Sequence, residues 1–305
     1  MSRVRPATVA DEGELDALFA ASFGNCPAPG YWSWKYDRLP GQARRLVAED
    51  ASGRLVAHIG ALALRARTRD GDRPIWQLVD VMGTTRGAGL RPPLLAAGRT
   101  LLADLPGNGD APWIFGFPSE RHFALGTRTF DYLPLCAIEP WSGALPTSGA
   151  ADVALDISDR CTPDVEAIWE ACDVRSVRRS AEFLNWRYCA RPGVYYRVYR
   201  FAVAAREGFA VFGFSSEEAR AAELWLPPAP RWGAALRAIA ADLRGLGMRR
   251  WRFWPRPGEE DLLRDLGAVP SGEKVFVGCR GRAGGPDPVA AGRDFTYVMG
   301  DYDAI

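Results

Sequence analysis

The octapeptide WKYDRLPG, beginning at Trp34, returns as WRYCARPG beginning at Trp186, 152 residues further along a chain of 305. A near-repeat at half the chain length implies a duplicated unit. Single cores stop growing near about 250–300 residues, so two ordinary domains are expected.

The order of elements around each copy supports this. In the first half, SRVRPA reads as a strand. DEGELDALFAASF reads as a helix with Leu15, Leu18, Phe19 and Phe23 on one face, Asp11 as N-cap and Glu14 three residues on. RLVAED and RLVAHIGALALRA, separated by ASG, read as a hairpin, and IWQLVDVMG as a third strand. A helix with Leu90, Leu94, Gly98, Leu101 and Leu105 in one stripe follows, then the strand APWIFGFP, the short helix SERHFALGTRTF and the strand YLPLCAIEPW.

SGALPTSGAAD has linker composition and places the boundary near residue 150. The expected division is an N-terminal domain over 1–142, a linker over 143–152 and a C-terminal domain over 153–305. Beyond the linker a capped helix, TPDVEAIWEACD, precedes the second octapeptide. Three strands follow, then a helix with Trp232, Leu236, Ile239, Leu243 and Leu246 on one face, the strand MRRWRFWP, a short helix and a final strand, EKVFVGCRG. Strands interleaved with helices and hairpins make mixed α/β units rather than a strict βαβ series.

Composition narrows the function classes. The 38 basic and 37 acidic residues nearly cancel, so no overall field calls for nucleic acid or an anionic membrane. Almost all the basic residues are Arg, with Lys only at 35 and 274. Six cysteines without a CxxC pair suit reduced thiols, and two histidines leave little material for a His-based metal site. The N-terminus has no apolar signal core, and nowhere do about 18 apolar residues run together. A cytoplasmic protein that spans no membrane is expected.

The turn RGAG, Arg86–Gly89, lies between a strand and a helix. Glycines there let backbone N–H groups approach an anion, and the helix N-terminus adds roughly half a positive charge. With VRPATVADEGELDALF before it and FGFPSERHFALGTRTFDYLPL after it, this order resembles the GCN5-related N-acetyltransferase (GNAT) superfamily. That family's pattern is R/Q-x-x-G-x-G/A, and Arg91 stands here where the final Gly or Ala belongs.

The resemblance implies two tandem GNAT-like α/β domains with largely antiparallel central sheets. It implies acetyl-CoA or another acyl-CoA as co-substrate, no metal, and a small-molecule amine as acceptor. Carried over residue by residue, the coenzyme would lie along Val81 and Met82 and over Arg86, Gly87, Ala88, Gly89 and Leu90. Asp80 is the candidate base, His122 a proton carrier and Tyr132 the proton donor to sulfur. Each has a plainer role as well: a strand-end turn for Asp80, a helix cap for His122, packing for Tyr132.

The second half has Pro227, Pro228 and Pro230 where RGAG stands in the first, and proline lacks the N–H a phosphate cradle needs. That half is expected to shape the acceptor site. In the tail FTYVMGDYD, Tyr297, Asp301 and Asp303 are candidates to hold an ammonium or sugar hydroxyls, the alternative being a solvated terminus. The paired aromatic segments and this tail resemble tandem members that acylate nucleotide-linked amino sugars.

Trp34, Tyr36, Trp186 and Tyr188 are expected to be packing residues, with Lys35 and Arg187 reaching outward. RRWRFW alternates Arg with aromatics as a single-strand binder does, and equally as a strand with one buried face. Two rival functions fit the same chain: a metabolite- or protein-binding module without catalysis, and a Fem-like transferase using aminoacyl-tRNA.

Overall fold

The computed structural model describes residues 3–69, 71–84, 92–105, 113–147, 153–228, 232–280, 287–292 and 294–302. The chain begins with β1 (Arg3–Pro6), α1 (Glu12–Phe23), β2 (Ala43–Glu49), β3 (Leu55–Thr68) and β4 (Gly71–Gly83). It continues through α2 (Pro92–Asp104), β5 (Ile114–Gly116), α3 (Glu120–Thr129), β6 (Leu133–Ile138) and β7 (Trp141–Ala144). Next come β8 (Leu155–Ser158), α4 (Asp164–Ala171), α5 (Ala181–Leu184), β9 (Tyr196–Val203), β10 (Arg206–Ser215) and β11 (Glu218–Trp225). The last elements are α6 (Trp232–Gly245), β12 (Arg250–Phe253), α7 (Glu260–Asp265), β13 (Val269–Pro270), β14 (Val275–Arg280) and α8 (Pro288–Gly292). The two octapeptides each begin as a single π-helical turn, Ser33–Asp37 and Asn185–Cys189.

Among the described residues there are two sheets of seven strands. One has the order β1-β2-β3-β4-β5-β14-β6 and the other, read from its far edge, β8-β9-β10-β11-β12-β7-β13. The orders correspond strand for strand, and in both a parallel pair joins the fourth and fifth strands. The sixth place is exceptional: each sheet fills it with a strand from the other half of the sequence.

That exchange corrects the expected boundaries. The compact units comprise residues 1–66, 72–136 and 276–293, and residues 67–71, 137–275 and 294–305. Gly143 and Ala144, read as linker, pair with Trp251 and Arg250, and Leu145 is buried in the second unit's core. The strand read as the end of the second domain, β14, pairs instead with β5 through Gly278↔Gly116 and Cys279↔Phe115. Small residues that resemble a linker are needed here because strands pass closely: a Cβ on Gly143 would lie 2.3 Å from the Gly267 carbonyl oxygen.

Strand alternation divides each sheet into two packed faces. In the first unit Ala57, Ile59 and Ala61 of β3 pack toward Leu94, Ala97 and Leu101 of α2. In the second, Tyr199, Phe201, Ala210 and Phe212 pack with Leu236, Ile239 and Leu243 of α6, while Val198, Phe209 and Val211 pack with Val165 and Trp169 of α4. In β12, Trp251 and Phe253 are buried while Arg252 bonds to Glu273, so its alternation is that of a half-buried strand.

Three local expectations change. Asp11 occupies the N-cap position of α1, but its side chain caps the preceding 3-10 turn instead, accepting from Thr8 N at 2.7 Å and pairing with Arg5. Phe23 is 48% exposed and Leu246 43%, because each lies at a helix end where the buried stripe runs out. The tail is not a solvated terminus: Tyr297, Val298, Met299, Gly300 and Asp301 are all buried within the second unit.

Gly143→Ala should lower stability by about 1–3 kcal/mol through overpacking against Gly267. Gly245→Ala, in a helix with nothing near the added methyl, should be neutral or stabilising by up to about 1 kcal/mol. Thermal unfolding of both variants checks this, since a residue in a free linker would tolerate either change.

Candidate active site

In the first unit β4 and β5 pair only at Trp76↔Ile114 and Gln77↔Phe115, and then β4 runs on to Gly83. Among the described residues, Leu78–Gly83 has no ladder partner on β5. The parallel pair therefore opens like a V whose mouth is the C-terminal end of β4.

Asp80 lies at this opening with φ +48°, a left-handed conformation that Asp tolerates better than most residues but that is unusual within a strand. Its side chain explains how the conformation is held. Lys35 Nζ lies 2.8 Å from both carboxylate oxygens, Tyr36 Oη donates at 2.6 Å and Tyr31 Oη at 3.1 Å. Lys35 Nζ also donates to Tyr31 Oη at 2.8 Å. Lys35 has no solvent exposure, which corrects the expectation that it reaches outward.

Tyr31, Lys35 and Tyr36 come from the first octapeptide and the residues just before it, and the turn points all three polar groups at one carboxylate. Burial alone would raise the Asp80 pKa, and Lys35, with the bonds it receives, more than reverses this, leaving it below the ordinary carboxylate range. A carboxylate that accepts from three donors and resists protonation is a strong anchor and a weak proton acceptor. The backbone is anchored too: His58 Nδ1 lies 2.8 Å from the Asp80 carbonyl oxygen, so Nδ1 carries the proton. Desolvation lowers the His58 pKa to about 4, and the ring stays neutral.

The other sequence candidates are distributed around this anchor. Val81 and Met82 continue β4, Met82 buried and Val81 packed against the α2 core. His122 stands in the first turn of α3, where its N–H donates to the Ser119 hydroxyl at 3.4 Å. Tyr132 follows α3 with its ring against Gly126 and Phe130, and burial pushes its phenol above the ordinary range. Arg86, Gly87, Ala88, Gly89, Leu90 and Asp303 lie outside the described residues.

The second unit repeats the anchor with different letters. Tyr188 Oη donates to Glu223 on β11 at 2.5 Å, and Trp225 Nε1 donates to its other oxygen at 2.6 Å. Arg179, fully buried, bridges Glu223 at 2.9 Å and Asp301 at 2.7 Å. Asp301 thus sits in a buried ion pair. Arg187, expected outside, is buried and donates to the Gly300 carbonyl at 2.9 Å.

Here too the parallel pair opens: β11 and β12 pair from Glu218↔Arg250 to Arg220↔Arg252, and β11 continues to Trp225. Beyond it lies a cavity of about 780 Å³ whose walls include Pro227, Pro228, Trp232, Arg237 and Arg256.

Sequence reasoning missed Tyr31, Lys35, Tyr36 and His58. One signal was present: a lysine at position 35 of an almost lysine-free chain, four residues after Tyr31 and hence on the same helical side.

Two predictions follow from the anchor. Lys35→Met leaves a buried carboxylate without its counter-charge and should cost about 3–5 kcal/mol in urea unfolding, with part recovered in Lys35→Met/Asp80→Asn. The folded-state pKa of His58, about 4, lies below the unfolded value near 6.5. As pH falls through this window the unfolded chain takes up the proton first. Stability present above pH ~6.5 should therefore decline by roughly 3 kcal/mol toward pH 4. Unfolding midpoints at pH 7 and 4.5 should show a smaller decline in His58→Gln.

No family model matches the chain, and no curated protein matches it. Solved structures do. A probable N-acyltransferase from Enterococcus faecalis V583 superposes with a TM-score of 0.66 at 14% identity, covering 92% of this chain and 72% of its own. A GCN5-related N-acetyltransferase from Anabaena variabilis gives 0.66 at 11%, with the same two coverages. A GCN5-related glucosamine N-acetyltransferase region of a fungal multi-domain β-N-acetylglucosaminidase gives 0.62 at 12%, covering 92% of this chain and 38% of that one. At such identities the likeness establishes architecture, and the chain has the GCN5-related N-acetyltransferase fold in tandem.

Proposed function

We propose that the protein is an acyl-CoA-dependent N-acyltransferase that moves an acetyl or short acyl group to a primary amine. The observation that carries this reading is the opening of β4 from β5, held by the buried Asp80 anchor, on the strand that RGAG follows in sequence. An extended ligand arm bearing amides pairs with free strand backbone as an added strand would. The stretch from Leu78 to Gly83 offers such backbone, so the residues present fit the pantetheine arm.

Val81 and Met82 would flank that arm, and Arg86 with the N–H groups of Gly87, Ala88, Gly89 and Leu90 would hold the pyrophosphate. When bound, acyl-CoA supplies an activated acyl carbon and a thiolate leaving group. The protein has to present a neutral amine, stabilise the developing oxyanion with a strand N–H, and return a proton to sulfur. We assign Asp80 the positioning of the strand that carries this N–H, because its own lone pairs are engaged. His122 is the candidate proton carrier, and Tyr132, whose phenol remains protonated, the candidate donor to sulfur.

An amino sugar on a nucleotide carrier is the acceptor we infer. The fungal relative in fold, described as a glucosamine N-acetyltransferase region, supports that class. Tyr297 and Asp301 are buried in the second unit, so their contribution to an acceptor site would be to shape it from behind.

The cavity in the second unit favours a second reading, a metabolite-binding module. Arg237 on its wall makes no ion pair among the described residues. The near balance of charge weighs against aminoacyl-tRNA as donor.

Calorimetric titration with acetyl-CoA and coenzyme A decides between the readings. The wild type should bind saturably, and Arg86→Glu, folded by circular dichroism, should bind roughly 10- to 100-fold more weakly. An acceptor screen led by nucleotide-linked amino sugars should then show amine-dependent release of free thiol. A folded wild type that binds neither ligand sinks the acyltransferase reading.

A further inference from the structure

The second octapeptide ends its π-turn on a cysteine where the first has Asp37. Cys189 is exposed, and its neighbourhood is built around one amide. Asn185, at the other end of the same turn, accepts from Cys161 N at 2.9 Å and donates to Cys161 O at 2.9 Å. Cys189 Sγ lies 3.1 Å from the same Asn185 oxygen. One amide oxygen thus meets both the exposed Cys189 thiol and the backbone N–H of the buried Cys161, which brings the two cysteines together.

We propose that Cys189 is a peroxide-reactive thiol and Cys161 its resolving partner, the two closing a reversible disulfide within the second unit. In the first step the Cys189 thiolate attacks one peroxide oxygen. An S–O bond forms, the O–O bond breaks and hydroxide leaves, giving a sulfenic acid. In the second, Cys161 sulfur attacks the sulfenic sulfur, an S–S bond forms, and the Cys161 proton leaves with the sulfenic hydroxyl as water. The two thiols have then lost two electrons to the peroxide, and an added dithiol returns them by exchange.

The chemistry of the pair agrees with this division of labour. The hydrogen bond from Cys161 lowers the Cys189 pKa to about 7 against opposing desolvation, with Arg160 assisting and Asp159 opposing. Cys161 is shifted upward by that same bond and by burial, with Glu223 and Asp164 adding to it. Of the two, Cys189 is the thiol that ionises more readily, and Cys161 retains the proton it must lose in the second step. Cys136 and Cys279, each pushed to about 11 by burial, lack that advantage.

The test uses the full-length protein and hydrogen peroxide at a small molar excess. Free thiols are then alkylated, and the protein is digested and mapped without reduction. A peptide pair joined through Cys161 and Cys189, absent from untreated protein and lost after dithiothreitol, is expected. Before oxidation, iodoacetamide should modify Cys189 at least about tenfold faster than Cys136 at pH 7. In Cys161→Ser, Cys189 should stop at a sulfenic acid that dimedone traps. The wild-type map needs no variant to fold. Cys189 labelling no faster than Cys136, or an oxidised folded wild type without the Cys161–Cys189 link, overturns the proposal.

Discussion

A tyrosine hydroxyl bonded to a buried carboxylate on the fourth strand is the constraint on which each unit depends. Tyr36 meets Asp80 at 2.6 Å and Tyr188 meets Glu223 at 2.5 Å. Both tyrosines sit in the π-turn of the repeated octapeptide, and both carboxylates need a buried cation, Lys35 in one unit and Arg179 in the other. A buried ion pair contributes little net stability compared with an apolar core, yet losing one partner is costly. Such a contact therefore specifies a geometry more than it strengthens it. What it specifies here is the path of the strand beside the opening, and glycine makes the approach possible: a Cβ on Gly60 would lie 2.0 Å from the Tyr36 hydroxyl.

Strand exchange adds a second constraint, at the level of the whole chain. Each seven-stranded sheet takes its penultimate strand from the other half of the sequence, β14 in one and β7 in the other. Each of these strands pairs with one more than a hundred positions away, β14 with β5 and β7 with β12. Non-local pairing of this sort delays the reward for loop closure, so folding of the two units should be mutually dependent rather than sequential.

The duplication, the hairpins and most helices were legible because their patterns are local. Alternation in RLVAHIGALALRA and the leucine stripe of α2 predict burial without knowledge of any partner. Lys35 and Arg187 were not legible, because long cationic side chains ordinarily reach water and only the position of Asp80 or of the tail backbone reverses that. The exchange of β7 and β14 was hidden for a similar reason. SGA has the composition of a linker, and nothing short of Gly267 at 2.3 Å explains why those residues are small. At the site, the strand IWQLVDVMG was readable from its apolar run, whereas the ring of Tyr31, Lys35, Tyr36 and His58 is made by tertiary approach alone.

The two units share a frame and differ at its mouth, and this difference is where function should reside. The anchor, the parting of the fourth and fifth strands and the helix beyond are common to both. In the first unit the sequence after the strand carries Gly87 and Gly89, residues that keep their backbone N–H and have no side chain to shield it. In the second it leads to Leu226, Pro227 and Pro228, which bring two fewer donors and an apolar wall. A duplicated site that keeps its supporting network while changing the chemistry of its rim can bind a second, dissimilar ligand without disturbing the first. Tandem architecture of this kind gives two copies of one frame whose rims are chemically distinct, glycine-rich in sequence after the fourth strand of the first unit and proline-rich after that of the second.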